Sequence, residues 1–564
     1  MTVLASDLRL DANWVDYLLI LIYFAFVLGI GIAAKRSVSS SIDFFLSGRS
    51  LPAWVTGLAF ISANLGAVEI IGMSASGAEY GIPTAHFFWI GAVPAMLFLG
   101  VVMMPFYYGS KVRSVPEFMR RRFGTAAHLV NALSFAVAQL LIAGINLYLL
   151  ARIVNVMLGW PLWVSLLIAA VIVLSYTALG GLSAAIYNEV LQFFVIVAAL
   201  LPLTVVGLHE VGGYGGLKDK ILATAGGAEQ LNSWPGTSLT SIDSPVYSVI
   251  GIVFGLGFVL SFGYWTTNFV EVQRAMAANS ISAAQRAPII GAFPKMFIPF
   301  IVILPGMIAA VAVSEIAEPK AAGGSPDYNN ALLYLIRDLL PNGMLGVAIA
   351  GLLAAFMAGM AANISAFNTV FSYDLWQTYV KKDREDAYYL RVGRLATVAA
   401  TVIAIGTATF AASYSNIMVY LQTLFGFFNA PLFATFILGM FWKRMTPTAA
   451  WIGLVSGTLA AVLVGVLSKD ALGGLSTGVI PLEGQGASFA AAGAAFVVDI
   501  LVSVLVSLVT EPRKESELRG LVWSLTPRQD FHDADEGVLA WYQQPTKLAS
   551  VGLVIVIVLN IIFW

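Results

Sequence analysis

Hydrophobic residues fall in long, nearly unbroken blocks along this chain, and polar residues collect in the short intervals between them. A helix that crosses a bilayer needs about 20 mostly apolar residues. That rule predicts fourteen spans, near 14–34, 51–76, 85–107, 126–157, 161–179, 186–208, 246–274, 288–314, 343–374, 391–411, 415–441, 448–467, 486–510 and 547–564. Two intervals on one side are long. The interval 209–245 is rich in Gly, Ser and Thr, and 315–343 contains a short amphipathic pattern that predicts a helix at 329–340. On the other side, 511–547 is polar, carries Trp523 and Trp541, and is predicted to lie along the membrane surface.

Basic residues set the direction of the chain, because inner loops carry the excess of Lys and Arg. With the N-terminus outside, 22 of the 30 Lys and Arg fall in inner intervals, among them Lys35, Arg36, Arg49, Lys111, Arg113, Arg120, Arg121 and Arg122. Six fall outside, namely Arg9, Lys218, Lys220, Lys320, Arg337 and Lys469, and Arg152 and Lys295 lie within spans. An even number of spans then puts both termini outside. The first apolar block follows an acidic stretch without a basic leader or a small-residue cleavage site, so it reads as a retained helix rather than a signal peptide.

Composition narrows the class. The 564 residues are 59% hydrophobic and 11% charged, with mean hydropathy +0.85. Soluble domains carry about 25% charged residues, so a large soluble core is excluded. The formal net charge of -1 gives no support for nucleic-acid binding, and the absence of cysteine rules out disulfides and Cys-ligated metal. Four scattered histidines (His86, His128, His209 and His532) and no HExxH or placed GxSxG motif leave a membrane enzyme without machinery. A channel would need a repeated filter, and none is seen. No organic cofactor and no obligate protein partner are implied; the expected partners are the bilayer and a small solute.

Two spans are interrupted in the same manner. The second carries "SANLGAVE", with Asn64, Gly66, Glu69 and Gly72; the seventh carries "GLGFVLSFGYWTTNFVEVQR", with Gly255, Gly257, Gly263, Asn268, Glu271 and Gln273. A carboxylate in hydrocarbon costs roughly 2.5–3.5 kcal/mol on insertion scales, so something must compensate each Glu. Glycine in a membrane helix is often only a close-packing contact. Paired Gly-interrupted spans in corresponding places instead point to the solute site of an inverted-repeat transporter, where broken helices offer free backbone groups at the midplane.

The stretches "YTALGGLSAAIYNEVLQ" (176–192), "DFFLSGRSLPAWVTGLAFISANLGAVEIIGMSASG" (43–77), "NFVEVQRAMAANSISAAQRAPIIGAFPKMFIPFIVILPG" (268–306), "VPEFMRRRFG" (115–124) and "FILGMFWKRMTPTAAWIGLVSG" (436–457) together resemble the solute:sodium symporter family, that of the sodium/glucose cotransporters. "HEVGGY" (209–214) resembles its sugar-transporting branch. The resemblance implies an all-α membrane protein with a LeuT-like arrangement: two five-helix inverted repeats with broken first helices, at 51–208 and 246–441. The flanking parts are an N-terminal extra helix with the first inner loop (1–50), the outer loop 209–245, and three C-terminal helices in 442–564. It also implies alternating access at the cytoplasmic (plasma) membrane and symport of a small polar solute with a cation. A sugar or polyol is favoured, with a monocarboxylate or other organic anion next because of Lys295. A non-transporting solute sensor is a further alternative.

The resemblance carries the solute site onto Asn64, Glu69, Ser261, Tyr264, Asn268, Lys295 and Thr423, with Phe88 standing where relatives carry Glu. Tyr264 is the ring expected to stack on or gate the solute. His86 is expected to be a satisfied helix-end histidine, and Arg152 to snorkel. The family's sodium site uses backbone carbonyls and a Ser/Thr pair; here the carbonyls of Ser62, Leu65 and Ala355 remain, but Ala358 and Gly359 occupy the hydroxyl positions. Sodium held by carbonyls, the Ser62 hydroxyl and water therefore stays open beside a proton carried by Glu69, Glu189 or Glu271, and beside uncoupled facilitation.

Overall fold

A computed structural model describes residues 10–35, 46–109, 112, 114–224, 227–234, 249–321, 326–412, 417–469, 476–527 and 539–564. These residues are overwhelmingly helical. In chain order the helices are α1 (Trp14–Lys35), α2 (Ala53–Asn64), α3 (Ala67–Tyr80), α4 (Ile82–Tyr108), α5 (Val115–Phe123), α6 (Thr125–Leu158), α7 (Leu162–Glu210) and α8 (Gly213–Leu222). Then come α9 (Ile250–Thr267), α10 (Phe269–Met276), α11 (Ile281–Lys295), α12 (Ile298–Ala312), α13 (Ser314–Ala321), α14 (Ala331–Leu339) and α15 (Met344–Val380). The last five are α16 (Asp386–Ala411), α17 (Ile417–Phe441), α18 (Pro447–Leu467), α19 (Gly484–Val509) and α20 (Pro545–Ile562).

Local chemistry sets many of these ends. The hydroxyls of Ser114, Ser280 and Thr446 accept from the backbone N–H of Glu117, Ala283 and Ala449, each satisfying an orphan donor at a helix start. Gly124, at φ 91°, ends α5 and opens α6 in a backbone conformation closed to most side chains. The short helix predicted at 329–340 is found as α14, while α8 within 209–245 was not foreseen.

Among the described residues twelve helices are long and apolar enough to cross a membrane, or thirteen when α2 and α3, bent by 54°, count as one span. The protein is therefore a multi-pass membrane protein. The difference from fourteen lies in α7. The predicted spans 161–179 and 186–208 both fall on this 49-residue helical segment, which at 1.5 Å per residue is roughly 73 Å of chain, enough for two crossings. Proline is absent from it until Pro202, so nothing forbids helical backbone across the junction. Within it Leu182–Glu210 makes a full span and Leu162–Val171 a shorter apolar piece. The side chains of 175–181, which include the "YTALGG" motif, lie outside the described residues, as do Arg9, Arg36, Lys111, Arg113, Arg528, His532 and 235–248.

Helix α2 packs on α11 and α3 on α12, while α15 packs against α6 and α7. The α3–α12 contact is backbone-close: a Cβ added at Gly306 would sit 2.0 Å from Ser74 O, and one at Gly77 would sit 2.5 Å from Ile303 O. Residues assigned to the inner side meet one another. Arg49 Nη2 donates to Val112 O at 2.6 Å, and Arg122 donates to the carbonyls of Gly439, Trp442 and Met445. Leu51 and Ala278 form a parallel backbone bridge, with Leu51 N–H donating to Ala277 O and Asn279 N–H to Leu51 O. In the segment after 511, Trp523 packs on Phe106 and Phe441.

Residues assigned to the outer side meet on another face. Asp16 Oδ1 accepts from the N–H of Gly343 and Gly346. Lys320 Nζ donates to Ala78 O, and Ser233 N–H donates to Phe563 O.

Candidate functional site

The two interruptions read from the sequence are real breaks. Helix α2 stops at Asn64, Leu65 takes φ −69°, ψ 43°, and Gly66 is extended before α3 begins. The break turns the last carbonyls of α2 into acceptors without intrahelical partners. Gly66 also lies close to α15, where a Cβ on it would come 3.3 Å from Gly359 Cα. In the second case α9 is wound with wide π turns over Ile250–Ser261 and ends at Thr267, and π turns recur at functional sites. Asn268 then leaves the helical region at ψ 114°, and its Oδ1 accepts from Val270 N–H at 3.0 Å to start α10. This Asn has the sequence-expected place and a structural duty there.

Between the breaks lies a cavity of about 90 Å³, room for several ordered waters. Asn64, Glu69, Phe88, Ser261, Tyr264, Asn268 and Lys295, all sequence-expected, line it together with Trp265 and Phe425. Its polar wall is one connected chain. Lys295 Nζ donates to both Asn64 Oδ1 and Glu69 Oε1. Asn64 Nδ2 donates to Tyr264 Oη at 3.0 Å, and Tyr264 Oη donates to Glu271 Oε1 at 2.7 Å. Glu271 Oε2 is buried with no partner among the described residues.

The ammonium is 4.9 Å from the centre of the Phe88 ring and 5.2 Å from that of Trp265, so Phe88 gives Lys295 a negative ring face. The tilted Tyr264 and Phe425 rings, 4.5 Å apart, form an aromatic side. Lys295 is thus held deep, not snorkelling, and its charge is balanced by Glu69.

The remaining expected residues divide. Glu189 is paired with Arg274 rather than free: Arg274 Nη2 donates to Glu189 Oε1 at 2.5 Å and Nε to Oε2 at 3.2 Å. Thr423 is a correction. Its hydroxyl donates to Val419 O and meets Ser488 Oγ at 3.0 Å, facing α19. Gln422 lines the cavity in its stead, because one residue along a helix rotates the side chain by about 100°.

His86 is fully buried, and its Nε2 donates to the carbonyl of Ser233 at 2.6 Å. Arg152 lines a separate cavity of about 290 Å³ with Asp327, Asn329 and Asn330. Ser62 Oγ is buried and unpartnered among the described residues. Ala355 and Gly359 face the Leu65–Gly66 break, with Ala355 O 3.7 Å from the position of a Gly66 Cβ. Ala358 is buried on the same helix.

Sequence reasoning missed Asn146, Asn363 and Gln422, which all line the cavity. The available signal was a lone amide inside an otherwise apolar span, the kind of residue that seldom faces lipid.

The chain matches the sodium:solute symporter family over residues 44–457. It is 31% identical over 472 residues to the sodium/glucose cotransporter of Vibrio parahaemolyticus, covering 80% of this chain and 85% of that protein. It is 29% identical over 469 residues to sodium/myo-inositol cotransporter 2 of Oryctolagus cuniculus, covering 79% and 68%. Its fold is similar to that of a Na+-coupled sialic acid symporter solved in a substrate-bound outward-open state, with TM-score 0.73 at 20% identity, covering 89% of this chain and 99% of that one.

Proposed function

The chain belongs to the sodium:solute symporter family, a family of transporters and not of enzymes, and from that premise we propose that it imports a small uncharged polyhydroxylated solute, a sugar or polyol, by sodium symport. One observation carries the choice of solute: the Glu69–Lys295–Asn64–Tyr264–Glu271 chain on the cavity wall. It offers donors and acceptors side by side, as hydroxyl groups require, and aromatic faces beside them. Lys295 is already neutralised by Glu69, and Glu271 adds a second carboxylate, so a net anionic solute meets no excess positive charge. The sugar and polyol named for the bacterial and rabbit relatives agree with this reading.

We assign 51–208 and 246–441 as the inverted repeats whose broken helices enclose the cavity, with both termini outside. Sodium enters through the gap between the Leu65–Gly66 break and Ala355–Gly359. Proton symport is the second reading, and the unpartnered Oε2 of Glu271 favours it.

The test is uptake of labelled hexose and labelled inositol into proteoliposomes under a sodium gradient, a pH gradient, or neither. Sodium-driven accumulation of either solute by the native protein, without accumulation under a pH gradient alone, supports the proposal. Accumulation driven by pH alone and lost in Glu271→Gln transfers coupling to that carboxylate. No flux of either solute overturns the solute assignment, and binding without flux identifies a sensor.

A further inference from the structure

The gap facing the first break lacks the hydroxyl pair but does not lack side-chain oxygen. Asn146, on α6, is 3% exposed. Its Nδ2 donates to Ile142 O at 3.2 Å, one turn back. That carbonyl can only accept, so the amide nitrogen must face it and Oδ1 must point the other way. Oδ1 is buried and has no hydrogen-bond partner among the described residues.

Two glycines show where it points. A Cβ built on Gly359 would lie 2.8 Å from Asn146 Oδ1 and 3.2 Å from Gly66 Cα. A Cβ built on Gly66 would lie 3.4 Å from the same oxygen and 3.7 Å from Ala355 O. Asn146 Oδ1 therefore crowds the place where a side chain at 359 would begin, and glycine at 359 is what admits it. Ser62 Oγ, three residues before Leu65 on the helix that ends at this break, is a second buried oxygen without a partner among the described residues. Buried acceptors left unpaired are rare and costly, and Asn146 Oδ1, aimed into the gap between a helix break and the Ala355 carbonyl, marks a locus for a hard cation, which takes oxygen ligands.

We propose that Asn146 Oδ1 is a ligand of the coupling cation, supplied from α6 in place of the hydroxyls that Ala358 and Gly359 do not have. The carbonyls of Leu65 and Ala355 and the hydroxyl of Ser62 are its partners. This rests on the sodium-symport reading and deepens it: the ion site is rebuilt with an amide from a different helix.

The test is equilibrium binding of radioactive sodium to the detergent-purified full-length protein without solute, with uptake in proteoliposomes alongside. Asn146→Ala should weaken sodium binding by about tenfold or more, where each tenfold is about 1.4 kcal/mol. In uptake at saturating solute it should raise the sodium concentration for half-maximal rate by a similar factor. Asn146→Asp keeps an oxygen at the position but loses the bond to Ile142 O when ionised. A ligand role predicts that it binds sodium at least as well as the native protein; a merely structural role predicts loss. Asn146→Ala combined with Gly359→Ser puts a hydroxyl where the amide was and should recover most of the sodium affinity.

Native sodium affinity in a monodisperse Asn146→Ala protein overturns the proposal and leaves sodium symport standing. So does weakened solute binding with intact sodium binding, which makes Asn146 a solute contact. Should Asn146→Ala fail to fold, Asn146→Asp decides by the sign of its change. No sodium binding by the native protein overturns both the proposal and the sodium reading.

Discussion

Glu69→Gln keeps the shape of a side chain and removes its charge, which isolates the ion pair with Lys295. The Lys295 side chain is 1% exposed and that of Glu69 11%, so only the cavity side of the pair has access to water. Opposite unit charges about 4 Å apart attract by about 4 kcal/mol at an effective dielectric of 20. Stranding one member of a buried pair costs about 3–5 kcal/mol.

Asn64 and the faces of Phe88 and Trp265 remain beside the stranded ammonium, and cation–π contacts contribute about 0.5–2 kcal/mol. Glu69→Gln should therefore lose about 2–3 kcal/mol, below the full range for a stranded charge. Lys295→Met leaves Glu69 without a hydrogen-bond partner among the described residues and should lose about as much. Removing both charges together should cost less than the sum of the two, by about 1 kcal/mol or more.

The assay is thermal unfolding of the four detergent-purified proteins at one pH without solute, followed by loss of the monodisperse peak. An additive double variant, with coupling below about 0.5 kcal/mol, would refute the argument that the two charges hold one another in the cavity.

Three further outcomes follow from the geometry. Gln422→Ala should weaken solute binding by about tenfold through loss of one cavity contact. Thr423→Ala, whose hydroxyl faces Ser488, should leave it within about twofold; titration of uptake against solute concentration separates them. Gly306→Ala drives a Cβ into Ser74 O and should cost about 1–3 kcal/mol or more of stability. Gly406→Ala has nothing within 4 Å and should be silent in the same melting assay.

Lys320, on the outer helix α13, is held down to about 8 by burial, against which Glu79 raises it only in part. Below about pH 8 its charged form carries a penalty in the folded state, and the penalty is relieved as pH rises toward the unfolded value near 10.5. The unfolded chain binds the extra proton in that window, so stability should rise with pH there. Lys320→Met should remove that slope from the melting temperature measured between pH 8 and 10.

The spans were legible because hydrocarbon demands long apolar blocks, and the cavity because Asn64, Glu69, Tyr264, Asn268 and Lys295 are polar where lipid permits little. That they share one cavity was read from the resemblance to the symporter family, not from their polarity alone. Asn146 was not legible: a lone Asn in an apolar helix announces a buried partner, but not which of the other helices it meets. Thr423 failed by one residue, a step that changes nothing in sequence pattern and turns the side chain to another neighbour. Glu189 read as a free carboxylate because its partner, Arg274, is 85 residues away.

The bridge between Leu51 and Ala278 has a mechanical meaning. It staples the start of the first broken helix to the turn that follows the second, so the two strokes of the pump share one crank. On the proposed symport reading, an inward opening that keeps this bridge carries both broken helices together, away from α6 and α15. The seam that parts is the one between Gly66 and the Asn146–Gly359 side, where the cation is proposed to sit. On that arrangement the ion works as the clasp of the seam: bound, it holds the moving unit against the fixed one, and its departure unlatches the door through which the solute leaves.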